Sequence, residues 1–318
     1  MESGRGGVLI CGAGPTGLVT AIELARRGIE VEVIDAAPAP SPLSKAAIIW
    51  RRTLEVLHGG VPVGDFLGPG RVIGGIQIEA DGRLLREVPF HRDSDLFPPG
   101  ILLPQSRTEE VLTARLEDLG VSLRRGHRIT GITRSDPDGV TVAIEAGDTT
   151  RSERHAWVVG ADGAHSAIRH RLGIDFPGVS IDRRWLLADL QFSDAGPEDR
   201  MRMFVGRGGM AALFPYGGGR WRLVADGGPV TPDIPRRDPD RSEIETVLES
   251  RTGRTWGIES TPWLAEFRVN ERQVEQYRHG RILLAGDAAH VHSPAGGQGM
   301  NTSIQDAVNL AWKLALVV

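Results

Sequence analysis

Three short segments combine glycine with aspartate at spacings that suggest binding chemistry. They are residues 12–17 (GAGPTG), residues 160–163 (GADG) and residues 286–287 (GD). Glycine lets a backbone come close to a phosphate, and a carboxylate can accept hydrogen bonds from sugar hydroxyls. These residue types therefore favour a nucleotide-binding site over a catalytic site in which a side chain breaks a bond.

The first segment has the setting that a dinucleotide fingerprint requires. An apolar run over 7–12 predicts a strand, the spacing after it predicts a helix that ends at Gly28, and residues 31–34 predict a second strand that ends in Asp35. Asp35 follows Gly17 by 18 residues, where a carboxylate accepts hydrogen bonds from a ribose and repels a 2′-phosphate. The predicted pyrophosphate-binding residues are Gly12, Gly14, Pro15, Thr16 and Gly17.

The second and third segments repeat the pattern of a strand that runs into a turn of small residues. Asp162 and Asp287 therefore stand at strand ends, where open α/β sheets bind ligands. One nucleotide does not need three such turns. A long cofactor does, because its adenosine, its polyol and its ring each need a separate binding surface.

The chain resembles the single-component FAD-dependent aromatic hydroxylases, whose fold is that of para-hydroxybenzoate hydroxylase. The likeness is closest to the hydroxylases that tailor aromatic polyketides, and it covers essentially the whole chain. The motifs that carry it are GAGPTGL (12–18), RRTLEVL (51–57), LPQSRTEEVL (103–112), GADGAHSAIR (160–169) and GDAAHVHSPAGGQGMNTSIQDAVNLAWKL (286–314).

This resemblance implies a mixed α/β fold, with a Rossmann-like FAD-binding domain and an inserted antiparallel β-sheet domain for the substrate. The FAD-binding domain would comprise residues 1–75, 100–178 and 265–318, and the substrate domain residues 76–99 and 179–264. The chain stops at Val318, so the further C-terminal helices that are usual in the family would be absent. The sequence itself predicts a hairpin at Asp81-Gly82, a turn at 137–139, and a helix over 109–119 that a capping box opens at Ser106.

The resemblance also implies roles for single residues. Gln105 and Asp287 would contact the ribityl and pyrophosphate region, and Asp162 would serve both FAD and NAD(P)H. Lys45 stands where the family usually has an arginine, so it keeps the charge without the fork of donors. Pro294 would lie near the reactive face of the flavin ring, and Gly299, Met300 and Asn301 along its pyrimidine edge. The candidate substrate contacts are Met210, Ala212, Phe214, Trp221 and Arg222.

The implied reaction begins with hydride transfer from NADPH or NADH, which binds transiently, to FAD. Reduced flavin then reacts with O2 to a C4a-hydroperoxide, which hydroxylates a phenolic, multi-ring aromatic substrate. Two alternatives stay open: a Baeyer–Villiger or other flavin oxidation on the same fold, and a shortened flavin-binding protein without turnover. A flavin-dependent halogenase is disfavoured because its Trp-x-Trp-x-Ile-Pro signature is absent.

Composition excludes several other classes of protein. The net charge of −4 gives no electrostatic support for a nucleic-acid partner, and no apolar run reaches the length of a membrane span. With no signal-peptide core and one cysteine, Cys11, we expect a cytoplasmic enzyme, either a monomer or a homodimer. His165, His290 and His292 are residues of a type that binds metals. However, the pairs Asp287/His290 and His290/His292 each lack a third convergent ligand, so no metal site is predicted. The G-x-S-x-G pattern of hydrolases is also missing.

Overall fold

The computed structural model describes residues 3–4, 6–42, 44, 46–92, 94–194, 196–206, 208–230 and 237–318, so Lys45 lies outside the described residues. The helices are α1 (Pro15–Ala25), α2 (Arg51–Leu57), α3 (Val63–Leu67), α4 (Gln105–Asp118), α5 (Ala167–Arg171), α6 (Arg241–Thr252) and α7 (Gly299–Leu314). Two single 3₁₀ turns lie at Gly286–Ala288 and Ala295–Gly297.

The strands follow in chain order. They are β1 (Ser3–Gly4), β2 (Val8–Cys11), β3 (Val31–Asp35), β4 (Ile48–Trp50), β5 (Arg71–Val72), β6 (Gly75–Ala80), β7 (Arg83–Pro89), β8 (Gly100–Leu102), β9 (Ser122–Arg125), β10 (His127–Asp136), β11 (Gly139–Ala146), β12 (Thr149–His155), β13 (Trp157–Gly160), β14 (Gly178–Phe192), β15 (Met201–Gly206), β16 (Gly209–Gly217), β17 (Arg220–Pro229), β18 (Ile258–Gln273), β19 (Arg278–His279), β20 (Ile282–Leu284) and β21 (His290–Val291).

A six-stranded sheet in the order β19-β20-β13-β2-β3-β9 forms the centre of the nucleotide-binding half. Its five strands from β20 to β9 run parallel. Every residue of β2, β13 and β20 is buried, as expected of strands covered on both faces. Helices α1, α4 and α7 pack on one face, and residues of the β10–β12 sheet pack on the other. The predicted Rossmann-like arrangement is confirmed.

An eight-stranded sheet in the order β21-β18-β14-β17-β16-β15-β6-β7 lies beside it, and only the β15–β6 pair is parallel. Alternate residues of β14, β16 and β17 face a core that Ile244 and Leu248 of α6 complete. The mixed α/β class with a large antiparallel sheet is thereby confirmed. The predicted domain boundaries remain a prediction. Strand β21 belongs to this large sheet, although in sequence it follows the third glycine segment of the nucleotide-binding half.

The start of helix α4 differs from the prediction. The helix begins at Gln105, so Ser106 is its second residue and does not cap it. The hydroxyl of Ser44, distant in sequence, accepts the hydrogen bond from the Gln105 backbone N–H. The capping box was wrong because a tertiary contact supplies the acceptor that helix N-termini need. Across the part of the chain that the structure describes, no helix is both long and apolar enough to cross a bilayer.

Candidate cofactor and substrate site

The three glycine segments meet at the carboxyl edge of the parallel sheet. Strands β2, β13 and β20 run in the same direction side by side, so the turns that follow them are neighbours. Backbone hydrogen bonds join these turns: the Ala161 N–H donates to the Cys11 carbonyl at 2.8 Å, and the Ala285 N–H to the Gly160 carbonyl at 3.0 Å. The structure thus brings together segments that are far apart in sequence.

The glycines of the first segment serve two different needs. Gly12 has a φ of 109°, and a Cβ there would overlap the Ala161 carbonyl. A Cβ on Gly17 would overlap the carbonyl of Gly12. At Gly14, by contrast, a Cβ would meet no atom within 4 Å, and the residue stands directly before α1 with Pro15 at its first position. Packing therefore requires Gly12 and Gly17, whereas Gly14 leaves open space at a helix N-terminus that can receive an anion.

Asp35 ends β3 beside this turn. Its Oδ2 accepts a hydrogen bond from the Ala13 N–H at 2.6 Å, and its Oδ1 one from the Ala37 N–H at 2.7 Å. These bonds hold the carboxylate against the glycine turn. Gln105 donates from Nε2 to Oε1 of Glu109 at 2.9 Å. Burial raises the pKa of Glu109, and the Gln105 hydrogen bond opposes this shift.

The second segment holds a half-buried carboxylate and a buried guanidinium. Asp162 Oδ2 accepts from the Ile168 N–H at 3.2 Å, whereas Oδ1 is buried and has no hydrogen-bond partner among the described residues. Arg169 donates to the carbonyls of Ala288 at 2.9 Å and Ala164 at 2.7 Å, which ties this segment to the third. Burial lowers the pKa of Arg169. Sequence reasoning missed this role, although Arg169 stands inside the quoted motif.

The third segment meets the first through Gly286 and Thr16. Gly286 has a φ of 58°, and a Cβ there would collide with the Thr16 side chain. Asp287 is exposed at this edge, and Ser303 of α7 donates to its Oδ1 at 3.4 Å. The start of α7 therefore faces the same edge as the start of α1, so two helix N-termini lie at one site.

Asn301 is fully buried and joins α7 to β4. Its Nδ2 donates to the carbonyls of Ile48 at 2.9 Å and Gly297 at 2.8 Å, and its Oδ1 accepts from the Trp50 N–H at 2.8 Å. These bonds use both amide donors. The side chain thus fixes the loop before α7, and Met300 beside it is also buried. In that loop, Pro294 is exposed.

The candidate substrate residues divide between the two faces of the large sheet. Phe214 is paired in register with Arg222, on the face opposite the α6 core. Met210 and Ala212 share that face with Phe214 by the period of two. Trp221 points the other way: it is 1% exposed and packs in the α6 core, with the guanidinium carbon of Arg202 5.3 Å from its ring centroid. Its place in that core separates Trp221 from the other four residues.

Arg222 is also buried, and its donors are engaged. It makes a two-pronged ion pair with Asp189, at 2.8 and 2.9 Å, and donates from Nη1 to the carbonyl of Ser44. The guanidinium therefore links the large sheet to the segment that caps α4. Arg222 thus connects the nucleotide-binding half of the chain to the half that contains the large sheet.

Comparison with known proteins matches residues 5–318 to the family described as FAD binding domain. The chain belongs to this family. Over 98% of its length it is 37% identical to the 12-dehydrotetracycline 5-monooxygenase/anhydrotetracycline 6-monooxygenase of Streptomyces rimosus, of which it spans 63%. The chain is thus shorter than two thirds of that relative.

Two solved structures show the same fold. CabE, an aromatic hydroxylase from angucycline biosynthesis, is 36% identical with a TM-score of 0.78, over 98% of this chain and 62% of that one. Aklavinone-11 hydroxylase in a ternary complex with FAD and aklavinone is 26% identical with a TM-score of 0.83, over 100% of this chain and 63% of that one. The resemblance to aromatic polyketide hydroxylases is confirmed.

The residues at the carboxyl edge fit FAD. The open space at Gly14 beside the N-terminus of α1 suits a pyrophosphate, and Asp35 stands where a ribose diol would bind. The buried, unpaired Oδ1 of Asp162 would gain a partner from a ligand hydroxyl. An extended dinucleotide would therefore satisfy groups that the protein leaves open.

We expect the His290–Asp306 pair to make the stability of the folded chain depend on pH. Nε2 of His290 hydrogen-bonds the Asp306 carboxylate, which raises the pKa of His290 above its usual value of 6.5. The His292 ring stacks on the His290 ring, the Tyr277 ring lies tilted beside it at a centroid distance of 6.4 Å, and Asp287 adds a further negative charge. Because the folded pKa is raised, the stabilisation is fully present below pH 6.5 and is lost as pH rises through the folded pKa.

We expect the coupling between His290→Gln and Asp306→Asn to be about 1 kcal/mol at pH 6, discounted because Asp306 is a third exposed. At pH 9 we expect it to be smaller, because a neutral imidazole can keep the hydrogen bond but loses the ion pair. Urea unfolding of the two single variants and the double variant at both pH values measures it. Equal coupling at both pH values would contradict the assigned protonation.

Among the residues that the structure describes, one buried group of three has side chains of the types that bind metals. Glu32, Glu153 and His155 place ligand atoms within 4.8 Å of one another. Arg124 already lies among them, with Nε 2.5 Å from Glu32 and Nη2 2.8 Å from Glu153. Burial lowers the pKa of His155. The guanidinium supplies the positive charge here, so the group is an ion-pair network that joins β3, β9 and β12.

Proposed function

We propose that this chain functions as an FAD-dependent monooxygenase that hydroxylates a phenolic, multi-ring aromatic compound, with NADPH or NADH as reductant and O2 as oxidant. One observation carries the proposal. The three glycine segments converge at one edge of a parallel sheet, and the loop before α7 at that edge accepts a hydrogen bond from Trp50 of β4, beside the large sheet. A cofactor and an aromatic ligand can meet there.

In this proposal the protein binds and orients, while FAD supplies the redox chemistry that activates oxygen. Gly12, Gly14, Pro15, Thr16 and Gly17 would hold the pyrophosphate, and Asp35 the adenosine ribose. Gln105 and Asp287 would contact the ribityl and pyrophosphate region, and Asp162 would contact both FAD and NAD(P)H. Gly299, Met300 and Asn301 would line the ring edge next to Pro294. The N-terminus of α7 would stabilise negative charge at that edge.

The substrate would lie against the face of the large sheet that carries Met210, Ala212 and Phe214. Apolar surface at this face would exclude water from the reacting atoms. Arg222, on the same face as Phe214, would hold this face in place through its bonds to Asp189 and Ser44. We further propose that the enzyme works in the cytoplasm, as a monomer or homodimer, where NADPH and NADH are supplied.

Anaerobic reduction of the bound flavin by NADPH and by NADH tests the function, with and without a panel of polycyclic phenols. Acceleration by one phenol, followed by a hydroxylated product when air is admitted, is the expected result. A ring-expanded or lactone product would instead favour Baeyer–Villiger oxidation. Bound flavin that neither nucleotide reduces would favour a flavin-binding protein without turnover.

A further inference from the structure

Four half-buried aromatic side chains surround one small apolar cluster. Trp50 at the end of β4, Phe90 directly after β7, and Phe214 and Tyr216 on β16 all pack against it. Aromatic residues make up only 5% of the chain, so four around one cluster is a local concentration. We call these four residues the aromatic cluster. The buried side chains beneath them are Ile48, Ile73, Leu102 and Met201.

Trp50 is held in a fixed orientation. It ends β4, and its register partner is Gly100 of β8, where a Cβ would lie 3.0 Å from its Cε3 atom. Its indole Nε1–H donates to the carbonyl of Gly296 at 2.9 Å. Phe90 meets the ring edge-on, with centroids 6.0 Å apart and planes at 68°. These contacts fix the indole between the loop before α7 and the large sheet.

Tyr216 adds an unsatisfied polar group to the aromatic cluster. Its hydroxyl is buried and has no hydrogen-bond partner among the described residues. Burial raises the pKa of Tyr216 far above neutrality, so the hydroxyl is an O–H donor in the physiological range. A buried hydroxyl without a partner is costly. A ligand oxygen at the aromatic cluster would remove that cost.

We propose that the aromatic cluster binds the ring system of the substrate, and that Trp50 sets the preference for fused multi-ring compounds over single-ring phenols. This inference rests on the proposed function. An indole face is wide enough to overlap two or three fused rings, and offset stacking grows with the area of contact. Its hydrogen bond to Gly296 immobilises the ring before the ligand arrives, so less conformational entropy is lost on binding.

Ligand affinity tests the inference independently of turnover. Equilibrium dialysis of the FAD-loaded protein gives Kd for a one-ring phenol, 4-hydroxybenzoate, and for a three-ring phenol, 1,8-dihydroxyanthraquinone. The variants are Trp50→Leu and Trp50→Phe. The matched control is Trp312→Leu, which removes a partly exposed tryptophan on α7. Melting temperatures and flavin content establish that each variant folds and binds FAD.

We expect Trp50→Leu to weaken binding of the three-ring probe about tenfold and of the one-ring probe less than about threefold. Trp50→Phe keeps a smaller ring and should fall between Leu and wild type, while Trp312→Leu should match wild type. If wild type binds the three-ring probe and Trp50→Leu binds it equally well, the inference is overturned and the proposed function stands. If wild type binds neither probe, both are overturned.

Discussion

Gly14→Val should yield folded protein that has lost FAD. A Cβ at this position would meet no protein atom within 4 Å, and Gly14 has a φ of −79° and a ψ of 178°, which any residue can adopt. The added methyl groups would instead occupy the space offered to the pyrophosphate. Loss of two charge-assisted hydrogen bonds at about 1.5–3 kcal/mol each weakens binding by more than about a hundredfold. Titration of apoprotein with FAD, followed by flavin fluorescence, measures it.

Two further glycines make this prediction specific. Gly64→Val in α3 also enters open space, so that variant should keep both its melting temperature and its flavin. Gly17→Val should lower the melting temperature of the apoprotein, because its Cβ would overlap the Gly12 carbonyl. A Gly14→Val protein that retains full flavin would contradict the assigned pyrophosphate position. Loss of folding in that variant would contradict the open space.

Arg222→Ala should destabilise the protein strongly. The guanidinium is 1% exposed, and its removal leaves the Asp189 carboxylate without its partner and the Ser44 carbonyl without its donor. Breaking a buried pair costs about 3–5 kcal/mol, and we expect the lower end because Asp189 is almost a third exposed. Urea unfolding of the apoprotein gives the change in free energy of unfolding.

The matched variants separate charge from geometry. Arg222→Lys keeps the charge but loses the fork, so it should restore only part of the stability. Adding Asp189→Asn to Arg222→Ala should recover about 1 kcal/mol, because the unpaired carboxylate is then gone. A loss below about 1 kcal/mol for Arg222→Ala would show that the connection between the two halves contributes little.

The sequence was most informative where a local pattern has only one physical solution. The fingerprint at residues 12–17 requires a strand, a tight turn and a helix, and all three are present. The Asp81-Gly82 hairpin and the turn before β11 also formed as predicted; at the latter, Asp136 Oδ1 accepts from two backbone N–H groups. These elements depend on neighbours within a few residues, so their sequence determines them.

Contacts between residues that are far apart in sequence could not be predicted in this way. Nothing near Gln105 in sequence indicates that Ser44 caps its helix. Nothing near Trp221 indicates that its side of the strand is the one that packs against α6, while Phe214 lies on the opposite face. Both follow from the register between strands and from packing of distant segments, which one chain's pattern does not specify. The roles of Trp50 and Asn301 as links across more than 200 residues were hidden for the same reason.

The bond between Asn301 and the Ile48 carbonyl joins two segments that are synthesised far apart in time. Synthesis proceeds from the N-terminus, so the Gly14 turn and β4 exist long before α7 can reach them. Parallel strands and contacts of such sequence separation form slowly, because loop closure precedes the contacts that stabilise it. A ligand stabilises only the state that binds it. FAD is therefore expected to stabilise the state in which α7 has docked, and cofactor shortage would lower the population of that state.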